Sequence, residues 1–257
     1  MALAAPASLP STAKGCSTSA AQGKCGPYDS YRDITGTASS TYIGNNVWNP
    51  VHGWQQTLPA TNPGNWQVTA NMPAGNTAVA SYPSVGANYG QSNNVSTPLS
   101  SFSMIGSWFT ENMHAMARTR AWGAYDIWLG QGASSNWTYE VMIQHDFAGN
   151  GACTSLATAA FPGPGGVLQD WHLCKYGSVL IWKLGANEKN KVSERTGVVN
   201  ILAMLLWLEH HGYLPANAGL RAVGYGWEIC STGGRPETFT VSSYELRTRC
   251  RAHHVCQ

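Results

Sequence analysis

Only 13 of the 257 residues are acidic, and few of them fall in segments that read as β-strands. Three do: Asp126 in AYDIWL, Glu140 in YEVMIQHDF and Glu228 in GYGWEICSTGG. Side chains alternate between the two faces of a strand. Over 139–147 that places Val141, Ile143, His145 and Phe147 on one side, a set suited to a core. Glu140, Met142, Gln144 and Asp146 fall on the other, a polar set with one Met, as expected for residues lining a groove. Gly130-Gln131-Gly132-Ala133-Ser134 is a turn signal. A hairpin centred on Ala133 sets Asp126 directly opposite Glu140 on the same face, with Cβ atoms about 4.5–5.5 Å apart. Two ionised carboxylates that close repel, so one carboxyl holds a proton or the two share one. A protonated Asp126 then donates a hydrogen bond that orients Glu140 and tunes its charge.

Glu228 stands in a strand whose alternate residues are Gly224 and Gly226. Glycines beside a carboxyl leave room for a ligand to approach the sheet. Glycoside hydrolysis with retained configuration needs two carboxyls about 5–5.5 Å apart, one to attack the anomeric carbon and one to protonate the leaving oxygen. Glu140 and Glu228 are the candidates for these roles, with Asp126 as partner of Glu140. Other chemistries find little support. The eight His show no HExxH spacing, and no Walker or dinucleotide glycine loop is present. No metal and no organic cofactor is expected.

Composition agrees with a sugar partner. Charged residues make up 11% of the chain, against about 25% in an average soluble protein. Its 11 Trp and 11 Tyr, with abundant Ser, Thr, Asn and Gly, suit an uncharged polyhydroxylated ligand. Net charge is +2, and the one basic concentration, Arg247, Arg249 and Arg251, is too small a footprint for nucleic acid. Of seven Cys none forms a CxxC pair. Cys16/Cys25, Cys153/Cys174 and Cys250/Cys256 are near enough in sequence to close small loops, leaving Cys230 as a buried thiol. Three disulfides point to an oxidising compartment and to secretion. The sequons at Asn94 and Asn136 are compatible with that. A full signal peptide is not visible at the start of the sequence. The longest apolar run, Ile201 to Leu208, falls far short of the roughly 20 residues that span a bilayer. A monomer without membrane partners is expected.

The elements that must position the carboxyls are mostly short strands. Residues 1–27, rich in Ala, Ser, Pro and Gly, read as an extended arm, and 28–257 as one domain. Candidate strands are 42–48, 78–82, 101–109, 121–129, 139–147, 179–184, 220–230 and 238–246, the rhythm of an antiparallel sandwich. Thr196–His211 (TGVVNILAMLLWLEHH) reads instead as one buried helix, capped by Thr196 and stopped at Gly212.

Several of these segments, taken in order, resemble glycoside hydrolase family twelve, the compact endoglucanases and xyloglucanases. They are Asn45-Asn46-Val47-Trp48, Ser81-Tyr82-Pro83-Ser84-Val85, Ala124 to Leu129, Glu140-Val141-Met142-Ile143, the helix, and Gly226-Trp227-Glu228. The resemblance spans roughly Tyr28 to Leu246. It implies an all-β jelly-roll of two curved antiparallel sheets with one packed helix and an open cleft. It also implies Glu140 as nucleophile, Glu228 as general acid/base and Asp126 as the hydrogen-bonding partner of the nucleophile. Asn46, Trp48 and Met142 match substrate-contacting positions, and Trp128 and Gln144, on the same lined face, are expected to contact substrate as well. The sequence departs from the family at Gln144, where Trp is usual. It departs again at 148–171, which replaces the usual Pro-Ile-Gly loop crossing the cleft. A non-catalytic carbohydrate-binding sandwich, a structural sandwich and a jelly-roll xylanase are the rival readings.

Overall fold

The computed structural model describes residues 30–33, 40–47, 49, 54–58, 60–89, 96–132, 137–149 and 151–252. The N-terminal arm, Cys16, Cys25, Trp48, Cys256 and both sequon asparagines lie outside the described residues.

The described chain forms two stacked sheets. The larger runs β1 (Ser30–Asp33), β2 (Ser40–Gly44), β6 (Ser84–Asn88), β15 (Ala218–Thr232), β9 (Thr119–Gln131), β10 (Tyr139–Ala148), β13 (Val179–Leu184), β12 (Leu168–Tyr176) and β11 (Thr154–Pro162). A short β7 (Thr97–Pro98) pairs with β15. The smaller runs β14 (Thr196–Val199), β8 (Phe102–Met113), β16 (Glu237–Cys250), β5 (Asn65–Asn71) and β3 (Gln55–Thr57), with β4 (Ala60–Asn62) beside β5. All pairings are antiparallel except β10 with β13. This is the jelly-roll sandwich expected from the sequence.

Strand alternation decides what each sheet buries. On β15, Val223, Tyr225, Trp227 and Ile229 point into the sandwich. Ala222, Gly224, Gly226 and Glu228 therefore take the opposite, outer face. β9 does the same with Ala121, Tyr125, Ile127 and Leu129 inward, leaving Trp122, Ala124, Asp126 and Trp128 outward. Between the sheets the aromatic rings interlock edge to face: Trp66 with Trp227 at 5.2 Å, and Phe109 with Tyr125 at 6.4 Å. Such pairs contribute about 0.5–1.5 kcal/mol each beyond the area they bury. They fix the long central strands that carry the carboxyls.

The helix is shorter than the sequence pattern predicts. α1 covers Ile201–His210, and its N-cap is Asn200, whose side chain accepts from the Ala203 amide at 3.1 Å. Thr196 to Val199 form β14 instead, adding to the edge of β8 with Val199 opposite Ser107. Two successive β-branched valines beside an open strand edge favour pairing over a first helical turn. The predicted strand over 78–82 reduces to a single bridge, Ser81 with Ile229, and the strand proper starts at Ser84. The hairpin β11–β12 had no alternating signal, since TSLATAAFP is built of small residues.

Cys153 and Cys174 are bonded, and Cys230 is a buried free thiol, both as expected. Cys250 is also disulfide-bonded.

Candidate active site

Three adjacent strands, β10, β9 and β15, bring Glu140, Asp126 and Glu228 to the outer face of the large sheet. The register between β9 and β10 differs from the predicted one by two residues. Glu140 stands opposite Trp128, and Asp126 opposite Met142. Gly130 and Gln131, read as part of the turn, are held in the ladder by Gly219 and Ala218 of β15. The chain therefore turns later, after Gly132 with its φ of 57°. A shift of two keeps every side chain on its face. Asp126 and Glu140 thus remain neighbours, diagonal rather than directly opposite.

The hydrogen bonds around them are specific. Trp128 Nε1 donates to Asp126 Oδ2 at 3.0 Å. Gln144 Nε2 donates to Glu228 Oε2 at 3.0 Å. Asp126 Oδ1 is buried and has no hydrogen-bond partner among the described residues. Met142 is buried with Ala124, Cys174, Val179 and Ile181 in an apolar patch on this same face, a smooth floor beside the carboxyls.

Burial pushes all three carboxyls toward the protonated form, and repulsion adds to it for Glu140 and Glu228. For Glu140 the order is burial, then the charge of Asp126, then that of Glu228. Asp126 is raised by burial and held back by the Trp128 indole. Glu228 rises to about 7 through burial and Asp126, while the Gln144 bond and the Lys183 charge oppose the rise. Three acids this close cannot all ionise, so the group holds protons near neutral pH.

Two predicted features differ. Asp146 does not share the Glu140 face. The ladder slips between Gln144 and Asp146, opposing one residue of β9 to two of β10, and such a bulge resets the alternation. Asp146 is buried between the sheets beside Glu111 of β8. His145 stays in the core as predicted, stacked on Tyr225, with Nδ1 donating to the Glu194 carbonyl at 2.9 Å. Nor is the space over Gly224 and Gly226 free for a ligand. A Cβ on Gly224 would meet the Tyr82 ring at 3.3 Å, and one on Gly226 would clash with the Pro83 carbonyl and lie 2.8 Å from Ser84 Cα.

Asn46 is half-buried with φ 41°, and its carbonyl accepts from the Tyr82 amide. Asparagine tolerates this left-handed conformation better than most residues. Two residues near the carboxyls escaped sequence reasoning. Tyr82 donates its hydroxyl to the Ala124 carbonyl at 3.0 Å and feels the charges of Asp126 and Glu228. Lys183 sits buried in β13 beside Gln144. The signal for Lys183 was present: a lone cation in VLIWKL is rarely buried without partners.

No family model and no curated protein matches the sequence. Solved structures do match the fold. The family 12 xyloglucanase of Bacillus licheniformis, in complex with ligand, has a TM-score of 0.67 at 21% identity, over 86% of this chain and 99% of that one. The xyloglucanase domain of NopAA, a type three effector from Sinorhizobium fredii, in complex with cellobiose, gives 0.64 at 22%, over 87% and 99%. The catalytic domain of a Humicola grisea enzyme with a soaked thio cellotetraose gives 0.69 at 18%, over 88% and 98%. The chain therefore has the jelly-roll fold of the family 12 glycoside hydrolases.

Proposed function

We propose that the chain is a secreted, retaining endo-β-1,4-glucanase acting on cellulose, mixed-linkage β-glucan or xyloglucan. Residues 28–257 form its catalytic domain, and it works as a monomer without cofactor. The observation that carries this reading is the placement of Asp126, Glu140 and Glu228 on one face of three neighbouring strands, with Asp126 Oδ1 unpaired. Like charges in such a group raise one another's pKa values, which suits acid/base work and has no evident structural purpose.

In the first step Glu228, with a pKa near 7, donates its proton to the glycosidic oxygen while ionised Glu140 attacks the anomeric carbon. Asp126, protonated, donates through Oδ1 to the Glu140 carboxylate and keeps it oriented. In the second step Glu228 removes a proton from water, which displaces Glu140 and releases the sugar with retained configuration. Met142 supplies the apolar floor. Asn46 and Trp48 would contact sugar rings. Gln144, first read as a substrate contact, serves as hydrogen-bond donor to the acid/base.

Reducing-sugar release from barley β-glucan, carboxymethylcellulose, xyloglucan and xylan tests the reading, with Glu140→Gln and Glu228→Gln as controls. Hydrolysis of a glucan that both substitutions abolish supports it and identifies the substrate. A folded protein inactive on all four overturns it, and activity on xylan alone favours the xylanase.

A further inference from the structure

β13 is buried along its whole length, yet its fifth residue is Lys183. An ammonium this deep persists only with partners. Its Nζ donates to the Gly151 carbonyl at 3.0 Å and pairs with Oε1 of Glu188. The segment that supplies Gly151 is itself tied to the sheet, because Cys153 is bonded to Cys174 of β12. Gly151 also lies so near Trp122 that a Cβ there would come within 3.1 Å of the indole. Lys191 reaches Glu188 as well, at 3.4 Å. Two ammonium groups thus share one carboxylate, and the cluster keeps a net positive charge. His172, whose pKa burial lowers, adds none at neutral pH.

This cluster reaches the acid/base through Gln144. In the β10–β13 ladder Lys183 is the register partner of Gln144, and neighbouring positions in a ladder present their side chains on one face. Gln144 uses its amide nitrogen on Glu228, but its Oε1 is buried and accepts no hydrogen bond among the described residues. Turned the other way, that oxygen would face the Glu228 carboxyl and repel its charge. A fixed cation on the far side favours the observed orientation.

We propose that Lys183 is a positioning residue for Glu228: anchored by Glu188 and Gly151, its ammonium keeps the Gln144 amide nitrogen on the Glu228 carboxyl and eases loss of the Glu228 proton. The proposal rests on the reading of Glu228 as acid/base. Lys183 and Glu228 feel each other's charge, each favouring the ionised form of the other. The other groups that face Glu228 are Asp126 of β9, Glu140 of β10, Tyr82 before β6 and Cys230, the last beside Arg120. Among these charge partners of Glu228, only Lys183 opposes the rise in its pKa.

The test is a carbon-13 carboxyl titration of the full chain, with the Glu228 signal assigned by its loss in Glu228→Gln, alongside the pH profile of kcat/KM. A positive neighbour lowers a carboxyl pKa. Lys183→Met should therefore move the Glu228 midpoint and the alkaline limb upward together by about one pH unit. Lys183→Arg should restore both, with KM unchanged. Lys183→Gln removes the charge but keeps a donor for the Gly151 carbonyl, and carries the test if Lys183→Met fails to fold. Midpoint and limb unmoved in a folded variant overturn the proposal, even if activity falls. A wild type that hydrolyses no glycan overturns the glucanase reading alone, because the titration reads the coupling without turnover.

Discussion

Trp128 faces Glu140 across the β9–β10 ladder, while its indole nitrogen donates to Asp126 two residues back on its own strand. One side chain thus spans both carboxyls that must divide a proton between them. Trp128 is half-buried, with its ring edge-on to Trp137 at 5.7 Å. A sugar-stacking role and an orienting role predict different outcomes for Trp128→Phe. The phenyl ring keeps an aromatic face but loses the donor. A hydrogen bond to a neutral carboxyl contributes about 0.5–1.5 kcal/mol, so kcat should fall about two- to tenfold with KM nearly constant. A rise in KM at constant kcat would assign Trp128 to the substrate instead.

Asp126→Asn changes the charge rather than the donor. The Asp126 charge raises the Glu140 pKa after burial has done so, so removing it lowers that pKa. The nucleophile must be ionised to attack. The acid limb of the kcat/KM profile should therefore move to lower pH, while kcat changes little, because the amide that replaces the carboxyl still donates toward Glu140. An acid limb that stays in place would mean that Asp126 and Glu140 titrate independently.

Face assignment was legible in the sequence because alternation is local. Asp126, Glu140, Met142, Gln144 and Glu228 all lie where a period of two puts them. Register was not legible, since Gly130 and Gln131 are kept extended by β15, a strand far along the chain. The bulge at His145 left no mark either, and it carried Asp146 through the sheet to Glu111. Val198 and Val199 carried both messages, apolar enough for a helix and β-branched enough for a strand. An open edge on β8 decided between them.

The alternate glycines of β15 announce a missing Cβ without saying what fills the space. The structure fills it with the chain itself. At Gly226 the obstacle is backbone, the carbonyl of Pro83, which also accepts from the Trp227 amide at 3.2 Å. At Gly224 it is the Tyr82 ring, which can yield by a few tenths of an ångström. Overpacking costs about 1–3 kcal/mol where neighbours cannot move. Gly226→Ala should therefore lose at least that much in urea unfolding, and Gly224→Ala less than about 1 kcal/mol. Equal and negligible losses would mean that both positions border open space.

Glu111 lies in the core, 3% exposed, beside Asp146 and the Trp227 indole. Burial first, then the Asp146 charge, pushes its pKa up to about 9. The folded state therefore holds a proton that the unfolded chain releases near its ordinary value of 4.5. Below that value the contribution to stability is fully present. It is lost progressively as pH climbs from about 4.5 to 9, because the folded chain then binds more protons than the unfolded one. Glu111→Gln keeps the shape and removes the titration. Its stability should stay flatter across that window and exceed that of the wild type at pH 9 by about 1–3 kcal/mol, the cost of an unsatisfied buried polar group. Unfolding curves in urea at pH 5 and pH 9 check this. A variant that loses stability equally at both would show that the carboxyl is ionised and held by Arg195, whose Nε lies 3.7 Å from Asp146 Oδ2.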